Sequence, residues 1–137
     1  MKTDTPVTVL VVEDDDLVLR LLSNVLRRAG HRVVTATDGV TALSIARREI
    51  PQVVVVDIML PAGNGLQLLE RMHSIAALST TVAIVMSGGD ADTYAPQAEA
   101  LGASFLAKPL SPAELLAAVE EALLGSSAMS VIGFASV

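Results

Sequence analysis

Short runs rich in β-branched residues alternate five times with longer stretches whose apolar residues recur three and four positions apart. The runs are Val7 to Val12, Arg32 to Ala36, Gln52 to Val56, Thr81 to Met86 and Ala103 to Ala107, and their length and composition predict buried strands. Leu17 to Ala29 carries Val18, Leu21, Leu22, Val25 and Leu26 at helical spacing and is closed by Gly30, which accepts the left-handed turn after a helix. A second helix is predicted from Asp38, with Val40, Leu43 and Ala46 inward, until Pro51 forbids continuation. The third runs from about Asn64 to Ala77 with Leu66, Leu69, Met72 and Ala76 inward. A fourth, Asp90 to Leu101, has mostly alanine on its apolar face and ends at Gly102. The last opens on Ser111-Pro112-Ala113-Glu114, a capping box with proline at the first helical position. It continues through Leu115, Leu116, Val119, Ala122 and Leu123.

Strand-helix units with nearly continuous apolar strands predict an α/β domain in which helices cover both faces of a parallel sheet. Right-handed crossovers then make it doubly wound. Residues 1–6 read as a polar leader, 7–124 as the domain, and 125–137, small and without period, as a linker, a tail or a cloning remnant.

Charge gathers at the ends of the runs. Val53-Val54-Val55-Val56 is followed at once by Asp57, and Val7 to Val12 by Glu13-Asp14-Asp15-Asp16. A carboxylate beside such a run is costly unless it is paired or works. In open α/β sheets the site lies at the carboxyl ends of the strands, and Glu13, Asp14, Asp57, Ser87 and Lys108 all fall there. Three carboxylates can hold a hard divalent cation, while a hydroxyl and an ammonium can meet phosphoryl oxygens. The set fits phosphoryl transfer to Asp57, chemistry that asks for positioning and charge neutralisation.

Composition removes other classes. With 137 residues, 52% of them hydrophobic, the chain is one domain with a sizeable core. A formal charge of -6 and no basic stripe argue against direct contact with nucleic acid or an anionic membrane. No cysteine is present, which excludes disulfides and thiolate chemistry. With no signal peptide or spanning run, a cytoplasmic location is expected.

Val-Val-Glu13-Asp14-Asp15, Asp57-x-x-x-Pro61-x-x-x-Gly65, Ser87 after an apolar strand, and Lys108-Pro109 together resemble the receiver domain of two-component response regulators. The resemblance covers Val7 to Leu124 and implies the flavodoxin-like (CheY-like) fold, a five-stranded parallel sheet of order 2-1-3-4-5 with five helices. It implies a phosphoacceptor Asp57 that receives its phosphoryl group from a histidine kinase or histidine phosphotransfer protein. Mg²⁺ is implied at Asp14, Asp57 and the Met59 carbonyl, with Glu13 acting through water. Ser87 and Lys108 are implied partners of the phosphoryl oxygens, with Ser87 and Phe105 as switch residues and a cis bond before Pro109. Met59 and Gly89 stand where the family tunes phosphoryl lifetime. Such a chain is a regulator that assists its own phosphorylation and dephosphorylation, not an enzyme. It signals to a downstream protein through the fourth helix, fifth strand and fifth helix.

Several of these positions have plainer uses. Asp15 and Asp16 suit a solvated helix start. Ser87 alone could cap a strand end before Gly88-Gly89, Lys108 alone is a solvated lysine, and Phe105 is by default a core residue. His31 and His73 have no metal partner spaced for them and receive no role. The alanine-rich fourth helix behind Gly88-Gly89 should be easy to shift when Ser87 moves. Leu17, Val18, Leu19 and Leu22 crowd the first helix beside the acids, a surface on which a kinase could dock. The winged-helix regulators' dimer ion pairs have no counterpart, since Ala103-Ser104 precede Phe105 and the last helix has Glu114, Glu120 and Glu121 but no base. A receiver excised from a hybrid kinase or larger regulator, and a pseudo-receiver that only binds partners, stand as alternatives. A flavoprotein lacks its Ser/Thr-rich phosphate loop here, and a dehalogenase-like phosphatase lacks the second acid after Asp57.

Overall fold

The computed structural model describes residues 5–135 apart from 62 and 90, with side chains described as far as residue 125. Its elements are β1 (Thr8–Val12), α1 (Asp16–Arg28), β2 (Arg32–Ala36), α2 (Gly39–Glu49), β3 (Val53–Asp57) and α3 (Gly65–His73), then a 3₁₀ turn (Ala76–Leu78), β4 (Val82–Ser87), α4 (Ala91–Ala100), β5 (Ser104–Ala107) and α5 (Pro112–Ala135). All four strand pairs are parallel and the order is β2-β1-β3-β4-β5, as expected.

The continuous valine runs are explained by two cores. Leu10, Val12, Val54 and Val56 face one side with Leu66, Leu69 and Met72 of α3. Val9, Val11, Val53 and Val55 face the other with Leu19, Leu22 and Leu26 of α1 and Leu115 and Val119 of α5. A strand buried on both faces needs apolar residues at every position, not every second one. The direction of winding changes between β1 and β3, so the residues after Val12 and at Asp57 flank the switch point, where such sheets bind ligands.

Several helix registers differ from expectation. In α1 the buried stripe is Leu19, Leu22, Ser23 and Leu26, whereas Leu21 is 56% and Leu17 67% exposed. Leucines at 17, 19, 21 and 22 support more than one stripe, and packing on β2 selects one that even includes Ser23. In α2 Val40 lies exposed in the first turn, because Asp38 caps the helix by accepting from the Thr41 amide at 2.7 Å. The small Ala42 and Ala46 are the buried positions. Helix α3 stops at His73, where the Ser74 hydroxyl donates to the Arg71 carbonyl at 2.7 Å. Ala76 is consequently exposed, and Leu78 fills the core from the 3₁₀ turn. Helix α4 buries only Ala98 and has Pro96 in its interior, which removes one helical hydrogen bond. Ser111 and Glu114 cap α5 reciprocally, at 3.1 and 3.3 Å, and that helix runs on to Ala135.

Candidate functional site

Glu13 directly follows β1, and its amide donates to the Ala36 carbonyl of β2 at 3.1 Å. That bond turns its side chain into the molecule, where it is fully buried. Asp14 is exposed, and Asp15 caps α1 by accepting from the amides of Leu17 and Val18. Asp57 is the last residue of β3 and is 4% exposed. Carboxylate oxygens of Glu13, Asp14 and Asp57 lie within 4.8 Å of one another.

One ammonium meets this charge. Lys108 Nζ donates to Asp57 Oδ2 at 2.8 Å and also bonds Glu13 Oε1. Its backbone follows β5, and its amide donates to the Ser87 carbonyl at 2.9 Å, fixing the lysine to the end of β4. The other Asp57 oxygen, Oδ1, accepts from the Met59 amide at 3.1 Å, and Glu13 Oε2 accepts from the Asp15 amide at 3.2 Å. Burial pushes the Glu13 carboxyl up, against the lowering effect of the Lys108 ammonium. Burial works to lower Lys108, but its bonds to Asp57 and Glu13 outweigh that and hold it above the ordinary lysine value. The pocket therefore holds the lysine charged and has more carboxylates than its one cation balances.

The oxygen-only donor set suits a hard divalent cation such as Mg²⁺. Glu13, Asp14 and Asp57 are the residues that could hold it. Ser87 ends β4, and its oxygen accepts from the Gly89 amide at 2.9 Å. That bond uses the oxygen's lone pair and leaves the hydroxyl hydrogen available to an acceptor. The Lys108–Pro109 peptide bond is cis. Phe105 is half-buried against the α2–α3–α4 side of the core, and Met59 is 64% exposed. His31 and His73, given no role from the sequence, lie elsewhere: His31 Nδ1 accepts from the Val7 amide, and His73 Nε2 meets the Thr81 carbonyl.

Gly65 belongs to the sequence motif but received no task from it. A Cβ at that position would come within 2.4 Å of the Asp57 carbonyl oxygen, while the Gly65 amide donates to Ile58 at 2.9 Å. The start of α3 thus rests directly on the backbone of Asp57. The signal in the sequence is a poor helix former placed at the first helical position after the Asn64 cap.

Residues 9–120 match the family model of the response regulator receiver domain. Over 118 residues the chain is 30% identical to protein PilH of Pseudomonas aeruginosa, covering 85% of this chain and 98% of PilH. It is 46% identical over 69 residues to the transcriptional regulatory protein TcrX of Mycobacterium tuberculosis, covering 50% of this chain but only 30% of TcrX. The chain thus spans less than a third of that relative's length. Among solved structures, the chemotaxis response regulator CheY4 of Vibrio cholerae is 26% identical with a TM-score of 0.80, covering 86% of this chain and 99% of CheY4.

Proposed function

Since the chain belongs to the response regulator receiver domain family, whose members are phosphorylated on aspartate, we propose that Asp57 is the residue that accepts the phosphoryl group. The observation that carries this reading is the bonding of Asp57. Its buried carboxylate ends a central strand with one oxygen on a backbone amide and the other on Lys108. In the transfer, an Asp57 oxygen forms the bond to phosphorus while the bond from phosphorus to the donor histidine nitrogen breaks. The electron pair stays on that nitrogen. Lys108 shifts from the carboxylates to a phosphoryl oxygen, and the Ser87 hydroxyl donates to another.

Asp14 and Asp57, with the Met59 carbonyl and with Glu13 through water, would hold Mg²⁺, which would supply neutralisation of the phosphoryl oxygens' charge. Three carboxylate side chains so close together support this assignment. The donor is a histidine kinase or phosphotransfer protein. Support comes from the exposed Leu17 and Leu21 of α1 and from a cavity of about 370 Å³ beside the pocket, lined in part by Val18, Leu22, Pro109 and Leu110. Output runs through α4, β5 and α5. Movement of Ser87 releases the Gly89 amide and biases α4, a helix held by one buried residue, with Phe105 turning inward. Met59 and Gly89 flank the reacting group and set how quickly water reaches it. The domain is taken as residues 7–124 and its location as the cytoplasm; among the described residues no helix is long and apolar enough to cross a membrane.

Intact-mass measurement after incubation with acetyl phosphate tests the proposal. One added phosphoryl group that requires both Mg²⁺ and Asp57 is expected. No adduct from acetyl phosphate or from a phosphohistidine donor would reduce the chain to a receiver-shaped binding module.

A further inference from the structure

Charge is divided across the width of the sheet. Residues 17–48 contain Arg20, Arg27, Arg28, Arg32, Arg47 and Arg48 against one acid, Asp38. From residue 72 onward the chain contains Asp90, Asp92, Glu99, Glu114, Glu120 and Glu121 against one base, Lys108, which is committed to the acidic pocket. The strand order turns most of this into a spatial polarity: α1 and α2 pack on the edge strand β2 while α4 packs on β5 and α5 on β4, although α5 also meets α1 and its Glu120 acts on His31 beside the basic edge.

The basic residues occupy a definite place. Arg27 and Arg28 lie in the last turn of α1, Arg47 and Arg48 in the last turn of α2, and Arg32 opens β2. The two helices cover opposite faces of the sheet, so the five guanidinium groups band the lower end of its edge, and all five residues are exposed. Glu49 pairs with Arg32 and Arg48, leaving Arg27, Arg28 and Arg47 without an ion pair among the described residues. Helix dipoles favour cations in a last turn, which accounts for each pair taken singly. It does not account for Arg32, nor for the last turns of α4 and α5, which contain no base.

We propose that this β2 edge docks head to tail on the acidic α4–α5 side of a second copy of the same chain. The charge complementarity lies within one sequence: exposed Glu99, Glu114 and Glu121 provide carboxylates that guanidinium forks bind two-pronged. A symmetric contact between two α4–α5 sides sets acid against acid. The head-to-tail contact brings opposite charges together and leaves one free basic edge and one free acidic side, so copies can add in a row. It leaves the carboxyl ends of the strands open. Because the contacts are exposed ion pairs, the association is weak and sensitive to salt.

Sedimentation velocity over a concentration series tests this at ionic strengths of about 0.01 M and about 0.3 M, where screening lengths differ several-fold. Growth beyond the monomer is expected in low salt and its loss in high salt. The doubles Arg47→Glu/Arg48→Glu and Glu99→Lys/Glu121→Lys change exposed residues only, and circular dichroism checks their fold. Each should weaken self-association about tenfold or more, and an equimolar mixture of the two should restore it. A monomer under all conditions overturns the proposal, as does an association indifferent to salt and to these charges. Binding of a random DNA duplex or of phosphatidylserine vesicles that needs Arg47 and Arg48, without self-association, assigns the edge to a polyanion and also overturns it.

Discussion

At the carboxyl ends of the strands, three carboxylates converge within 4.8 Å and one lysine answers two of them. At the amino ends, the buried polar side chains close onto neutral backbone atoms: Thr81 Oγ1 donates to the Pro51 carbonyl at 2.8 Å and His31 Nδ1 accepts from the Val7 amide at 3.2 Å. The exposed Gln52 side chain also accepts from a backbone amide, that of Thr8, at 2.9 Å. The same sheet therefore has one end where polar groups finish the fold and another where carboxylates outnumber the cation that answers them. Burial alone does not separate the two kinds of site. The separating property is whether fixed backbone dipoles are a group's only partners, as at His31 and Thr81, or whether a mobile charge also answers it, as Lys108 does for Glu13 and Asp57.

Substitution at either end should break different properties. The largest effect is expected from Asp57→Asn, which should abolish phosphoryl uptake completely while leaving the unfolding midpoint unchanged or higher, because one of three clustered carboxylates is gone. Uptake and unfolding curves on the same preparation check it. Lys108→Met should cost about 3 kcal/mol in urea unfolding at neutral pH, since it strands buried Glu13 and Asp57 without a cation. Burial holds the Glu13 carboxyl above its ordinary value, so this acid favours the folded state at low pH and loses that contribution as pH rises through its folded pKa. The cost of Lys108→Met should accordingly shrink on acidification, and Mg²⁺ should recover part of it at neutral pH. A cost that does not vary with pH would show that the pair carries no such linkage.

Gly65→Ala acts on the backbone beneath the site. The new methyl meets the Asp57 carbonyl at 2.4 Å, which should cost about 1–3 kcal/mol and slow phosphoryl uptake. Equal uptake rates at matched folded fractions would deny Gly65 any part in positioning Asp57.

The amino end should answer to pH with the opposite sign. Burial lowers the His31 pKa from 6.5, against a raising influence from Glu120, so the unfolded chain holds the proton more tightly. The stability His31 contributes is fully present above 6.5 and is lost as pH falls through its folded value. Urea midpoints should therefore drop between neutral and mildly acidic pH, and His31→Leu should flatten that portion of the profile without changing phosphoryl uptake at neutral pH. An unchanged slope would sink the assignment.

The sheet was legible in the sequence because doubly buried strands impose unbroken valine runs, and Glu13 and Asp57 because each ends such a run. Helix registers were less legible. Leucines crowd α1 on more than one possible stripe, and in α2 two small alanines, not Val40, fit against the sheet. Lys108 stood out as a strand-end cation, but its two hydrogen bonds, to Glu13 and to Asp57, link residues 95 and 51 positions apart, which no local pattern encodes. The role of Gly65 was hidden for another reason: a missing Cβ gains meaning only from the carbonyl beside it. The arginine band was invisible as a stripe because it gathers two helix ends and a strand start from separate stretches of sequence.

Every role proposed for the site turns on Asp57 carrying the phosphoryl group. Borohydride reduction of the phosphorylated chain, followed by peptide mass mapping, tests it most directly, since an acyl phosphate on aspartate is reduced to homoserine. Homoserine is expected at position 57 and at no other acid. Homoserine at Asp14 or elsewhere, with position 57 still aspartate, would contradict it.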